Sequence, residues 1–148
     1  ESGCMRVMRG THLGKILDHD DRYDEDNLLT RGQEITRGVD ETKAVLMPLE
    51  PGQISIHNYC IAHASGPNNS QDRRIGVSMH FMPPDTQQIV GNWDSAALVR
   101  GEDRQGNFEM TPIPERDFDP KALVFQQKAT KAMSEVLYAG AERNTDKL

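Results

Sequence analysis

The chain has 148 residues, 36% of them hydrophobic and 27% charged, and a formal net charge of -6 at pH 7. That balance suits one soluble globular domain over 1–148, and no apolar run approaches the roughly 20 residues a membrane helix needs. An acidic chain with 5% aromatic residues also lacks the basic stripe and stacking surface of a nucleic-acid binder.

The two cysteines, Cys4 and Cys60, do not make a disulfide framework in a chain of this size and are expected to be small buried hydrophobes. No basic-then-apolar leader is visible, so a cytoplasmic location is expected. The Asn68-Asn69-Ser70 sequon carries little weight without such a leader.

In chain order, residues 3–9 alternate as a short strand does, and Gly10-Thr11-His12 reads as a turn. Residues 14–42 are polar and Asp-rich, with Gly32 and Gly38, and are expected to form a long excursion with little regular structure, functional or mobile as loops of that length usually are. Ala44–Met47 is a strand candidate, followed by a tight turn at Glu50-Pro51-Gly52-Gln53. A second strand is expected from Ile54 to His63, with His57, Tyr59, Ile61 and His63 on one face. After a loop of Ser, Gly, Pro and Asn, a third is expected from Arg73 to Met82. Ile75, Val77, Met79 and Phe81 make its apolar face, and Arg74, Gly76, Ser78 and His80 its polar one. The polar face fits solvent, as on many antiparallel strands, or the interior of a ligand-holding barrel.

Residues 83–118 are irregular and hold the only tryptophan, Trp93. A C-terminal helix is expected over 119–139. Asp119 is its N-cap, Pro120 its first residue and Gly140 its stop. Ala122, Phe125, Ala129, Ala132, Met133, Val136 and Leu137 form one stripe, placing the helix against the outside of a sheet.

The chemistry concentrates in QISIHNYCIAHASGPNNSQDRRIGVSMHFM, residues 53–82, where His63 and Arg74 stand eleven apart. If their strands are neighbours, an imidazole suited to Fe(II) and a guanidinium fork suited to a carboxylate face one cavity. The same residues also read as a hydrogen-bonded structural histidine and solvated surface charge.

Gly3-Cys4-Met5-Arg6-Val7, Gly10-Thr11-His12, Asn27-Leu28-Leu29, Arg31-Gly32-Gln33, His63-Ala64-Ser65-Gly66-Pro67-Asn68-Asn69-Ser70 and Arg73-Arg74 resemble, in order, phytanoyl-CoA dioxygenase family sequences. The family's proline-glycine-serine-histidine turn is Arg9-Gly10-Thr11-His12 here, a departure at two positions. Asp94 to Phe108, with Leu98-Val99-Arg100-Gly101 and Asp103, is similar to bacterial members.

The resemblance implies a mainly β fold: part of a double-stranded β-helix, the cupin-like jelly roll, with a C-terminal α-helix. It implies an Fe(II)- and 2-oxoglutarate-dependent oxygenase that hydroxylates a small metabolite with O2, halogenation being a known variant. His63 matches the family's second iron-binding histidine. Arg74 matches the residue that binds the distal carboxylate of 2-oxoglutarate, with Gly76 and Ser78 flanking it. Asn27, Arg31, Gln33, Trp93 and Arg100 are substrate-contact candidates. The arginines suit an anionic group, with surface charge as the other reading.

The family's other iron ligands come from a His-x-Asp motif that precedes the segment matched by Glu1 to His12. The chain is therefore expected to be a truncated C-terminal half, inactive alone. His19-Asp20-Asp21 spells His-x-Asp, but family order does not put ligands there, and it also reads as solvated loop charge. His57 and His80 are expected to be too distant to join His63 and Arg74: six residues of extended strand span about 20 Å. Two other readings remain, a jelly-roll module binding a small ligand without redox chemistry, and a half-barrel that pairs as a homodimer.

Overall fold

The computed structural model describes residues 2–25 and 31–142. These are mostly irregular backbone with two small sheets, two single-turn 3-10 helices and one α-helix. The chain divides into two compact units, Glu1–Asp24 with Gly32–His80, and Glu25–Arg31 with Phe81–Leu148.

The first unit is built on strand β1, Met5–Val7, at the centre of a three-stranded antiparallel sheet. Strand β2, Val45–Leu46, pairs with it through Arg6↔Leu46 and Val7↔Val45. Strand β3, His63–Ser65, pairs on the other side through Met5↔Ser65, Arg6↔Ala64 and Val7↔His63. The buried apolar residues, Val7 and Ala62, lie along this seam. Gly3 adopts φ 66 and meets the loop that follows β3. A Cβ there would lie 2.6 Å from the Pro67 carbonyl oxygen and closer still to that of Gly66.

The excursion at 14–42 closes on itself. Asp20 and Glu34 exchange backbone hydrogen bonds at 2.9 and 3.0 Å, and Arg22 pairs with Glu34 at 3.4 Å.

Strand β4, Ser95–Ala96, and strand β5, Glu109–Met110, pair in parallel in the second unit. The helix α1 runs Pro120–Leu137. The Asp119 side chain accepts from Lys121 N at 2.9 Å, a donor the first turn cannot use, and also from Glu115 N in the preceding loop at 3.1 Å. Gly140 sits at φ 73 beyond the last turn, as the sequence predicts. Ala122, Phe125, Ala129, Ala132 and Val136 are half-buried, whereas Met133 is exposed.

Three local expectations are corrected. The strand expected over 54–63 is broken, because Asn58 turns the chain: its side chain accepts from Cys60 N at 2.9 Å and its carbonyl from Ile61 N at 3.1 Å. Such self-bonding is what Asn does in turns. Cys60, expected inside, is exposed at this turn. Residues 73–82 alternate like a strand but form no ladder among the described residues. Their apolar face is exposed, with Ile75 at 78%, Val77 at 83%, Met79 at 68% and Phe81 at 72%. Alternation selects two faces, but only a hydrogen-bonded neighbour makes a strand. The described residues accordingly show small sheets rather than a closed jelly roll. No helix among them is long and apolar enough to cross a membrane.

Candidate metal and cosubstrate site

His63 opens β3, opposite Val7 on the central strand. Its position is held from the preceding residue: Ala62 N donates to the Thr11 hydroxyl oxygen at 2.8 Å, and Met8 N donates to the Ala62 carbonyl at 2.9 Å. The turn after β1 therefore anchors the start of β3. The ring Nδ1 lies 2.9 Å from the Ile61 carbonyl. A carbonyl only accepts, so Nδ1 is the donor, and in that tautomer the lone pair lies on Nε2. Metal-binding histidines are commonly oriented this way, by a backbone carbonyl on the far nitrogen.

His57 is the correction at this site. An extended strand would carry it about 20 Å from His63. The turn at Asn58 folds it back instead, and the two rings stand 5.9 Å apart between centroids at a tilt of 54°. Asn58 was the readable signal, since Asn in a strand pattern marks a turn. His80 stacks edge-on against Tyr59 at 5.2 Å, with Ser78 Oγ 3.4 Å from its Nε2.

Arg74, Gly76 and Ser78 are exposed in the irregular segment that follows the Ser70–Asp72 bend. Asn68 shapes the intervening loop: its amide donates to the Asp72 carbonyl at 2.7 Å, and its oxygen accepts from Ser70 N at 3.0 Å.

The histidine tautomer fits one position of an iron centre. Among the described residues no group of three His, Cys, Asp or Glu side chains could hold a metal, so they offer only part of a ligand set. The carboxylates of the His19-Asp20-Asp21 run are used within the excursion. Asp20 accepts from the Thr36 hydroxyl, and Asp21 from Tyr23 and Gln33 at 3.1 and 3.0 Å.

The substrate-contact candidates are placed as follows. Gln33 donates to Asp21 in the first unit. In the second, Arg31 donates to the Leu137 carbonyl at the end of α1, 3.0 Å away, where a cation suits the helix terminus. Trp93 belongs to the anchor of α1. Its indole N–H donates to Glu109 Oε2 at 2.6 Å, Lys128 Nζ lies over its ring at 4.0 Å, and Phe125 meets it edge-on at 5.8 Å. Lys128 donates to the same carboxylate oxygen. Arg100 is exposed beside Gly101. Asn27 lies outside the described residues.

The sequence model of the phytanoyl-CoA dioxygenase (PhyH) family matches residues 1–76. The match takes in β1, β2, β3, His63 and Arg74, and ends just before Ser78. No curated protein and no solved structure matches the chain. With just over half of its length under the family's pattern, the chain belongs to the phytanoyl-CoA dioxygenase family.

Proposed function

We propose that this chain forms the C-terminal part of an Fe(II)- and 2-oxoglutarate-dependent oxygenase, with His63 as one iron ligand. The observation that carries the reading is the state of His63. It falls inside the family match, and the hydrogen bond of its ring Nδ1 to the Ile61 carbonyl would leave Nε2 as the atom to meet a metal. Arg74 is proposed to hold the distal carboxylate of 2-oxoglutarate through a bidentate pair, with Ser78 beside it. The family's His-x-Asp pair would complete the centre from outside these 148 residues, so this chain alone is proposed to be inactive. Bound iron would supply the activation of O2 that oxidises 2-oxoglutarate to succinate and CO2 and a substrate C–H to an alcohol. The chain's own residues would orient one ligand and fix the cosubstrate. A small anionic metabolite is the proposed substrate, supported by the exposed guanidinium of Arg100 and the likeness to bacterial members.

The test is anaerobic addition of Fe(II) and 2-oxoglutarate, read by the visible charge-transfer band. We expect no band from this chain and a band from a chain extended upstream of Glu1. Arg74→Ala in the extended chain should weaken 2-oxoglutarate binding by about tenfold or more, the worth of a charged hydrogen bond. No band at either length would refute the reading.

The exposed Ile75, Val77, Met79 and Phe81 favour one secondary reading, self-association of this chain as a homodimer. A segment that forms no ladder among the described residues and exposes alternate apolar side chains invites pairing with a second copy. Sizing chromatography tests it, and a clean monomer would remove it.

A further inference from the structure

We infer that His57 and His63 form a two-imidazole clip for a borderline divalent transition metal, a site available to this chain without any His-x-Asp pair. An imidazole nitrogen bonds such a metal at about 2.0–2.1 Å, which puts each ring centroid roughly 3.2 Å from the ion. Two rings on one ion then have centroids about 5.2 Å apart at a tetrahedral angle and about 6.4 Å apart when opposed. The observed 5.9 Å, with the rings tilted 54° to each other, lies inside that range. Ordinary van der Waals neighbours can share this spacing, so a second observation matters. The His63 Nδ1–H is engaged by the Ile61 carbonyl at 2.9 Å, which fixes the ring and leaves Nε2 as its donor to a metal.

Both rings are exposed. His57 can therefore rotate onto the ion without disturbing a core, and water can fill the remaining positions. Among the described residues no third His, Cys, Asp or Glu joins them, so the clip is open. An open two-nitrogen site follows the intrinsic preference of imidazole, with Cu(II) held above Ni(II) and Zn(II). The clip uses the same Nε2 as the proposed iron centre, so an ion on the clip and iron bound through His63 exclude each other.

The inference rests on the placement of His57 and His63 and needs neither 2-oxoglutarate nor Arg74. The intact 148-residue chain is titrated with Cu(II), Ni(II) and Zn(II) by calorimetry, with 2-oxoglutarate omitted. The expected result is one equivalent bound in the order above, with His57→Ala and His63→Ala each losing at least tenfold in affinity. The Cu(II) electron paramagnetic spectrum should show coupling to two nitrogens in the unaltered chain and to one in either variant. His57→Ala binding as tightly as the unaltered chain would overturn the clip, as would an equal loss in His80→Ala. Failure here leaves the charge-transfer test of the oxygenase reading intact, and a missing charge-transfer band leaves the clip standing.

Discussion

The Thr11 hydroxyl ties the turn after β1 to the residue before His63. Its oxygen accepts from Ala62 N at 2.8 Å, and its proton goes to the Met8 carbonyl at 2.9 Å. Ala62 is one of the two buried apolar residues of the first unit, so an unpaired N–H there has little access to water. Thr11→Val keeps the shape and removes both bonds. It should cost about 1–3 kcal/mol, the penalty for a stranded donor, and speed amide hydrogen exchange at Ala62. Thr11→Ser should restore slow exchange. Unchanged exchange in Thr11→Val would show that the hydroxyl does not hold β3.

Gly3 permits the loop after His63 to lie against β1. It has φ 66, and the Gly66 and Pro67 carbonyl oxygens occupy the space a side chain would take. Gly3→Ala should destabilise the first unit by about 1–3 kcal/mol, from left-handed backbone strain with a backbone clash added. Gly10→Ala is the control: Gly10 has φ 83 but open space around it, so it should cost less. Urea unfolding followed by tyrosine emission reports both, and equal losses would mean that the close approach contributes nothing.

The Glu109 carboxylate is held below the usual glutamate range, first by the Lys128 ammonium and then by the Trp93 indole. A lowered folded-state pKa stabilises the protein at pH above the ordinary value of 4.5, and that stability is lost as pH falls through the lowered value. Acidification below 4.5 should therefore loosen the anchor of α1 and shift the emission of Trp93, the only tryptophan. In Glu109→Gln the anchor is already weakened at neutral pH, and the acid-induced shift should vanish. The same acid shift in both proteins would count against this carboxylate as its source.

Asp119 behaves similarly at the other end of the local hierarchy. Backbone N–H groups of Glu115 and then Lys121 lower its pKa. The cap is thus strongest above the ordinary aspartate value of 3.8 and is lost as pH drops through the lowered one. Asp119→Ala should reduce helical circular dichroism and lower the Tm of the second unit at neutral pH, while Asp119→Asn, which still accepts, should retain most of both. Equal Tm in all three would show that the first turn needs no cap.

The legible parts of the fold are those written in a few neighbouring residues. The Asp119-Pro120 start and the Gly140 stop predict α1 within a residue or two of its observed bounds, Pro120–Leu137. The alternation at 3–9 predicts β1, and Ala44–Met47 predicts β2. The segment 73–82 was misleading because its alternation is equally clear, yet a strand also requires a partner that the pattern does not specify. Trp93 stands in a stretch whose pattern names no partner; Phe125, Lys128 and Glu109, which meet it at the anchor of α1, come from elsewhere in the sequence.

At the candidate site, the order of motifs pointed to the family and named His63 and Arg74 as candidates, because residue types and their spacing are properties of the chain itself. Tertiary structure decided the rest. The Asn58 turn brought His57 to 5.9 Å from His63, and the Ile61 carbonyl chose which nitrogen His63 offers. Caps and alternation act over a few residues, whereas ring proximity and tautomer depend on how the backbone folds back, which side-chain pattern by itself does not encode.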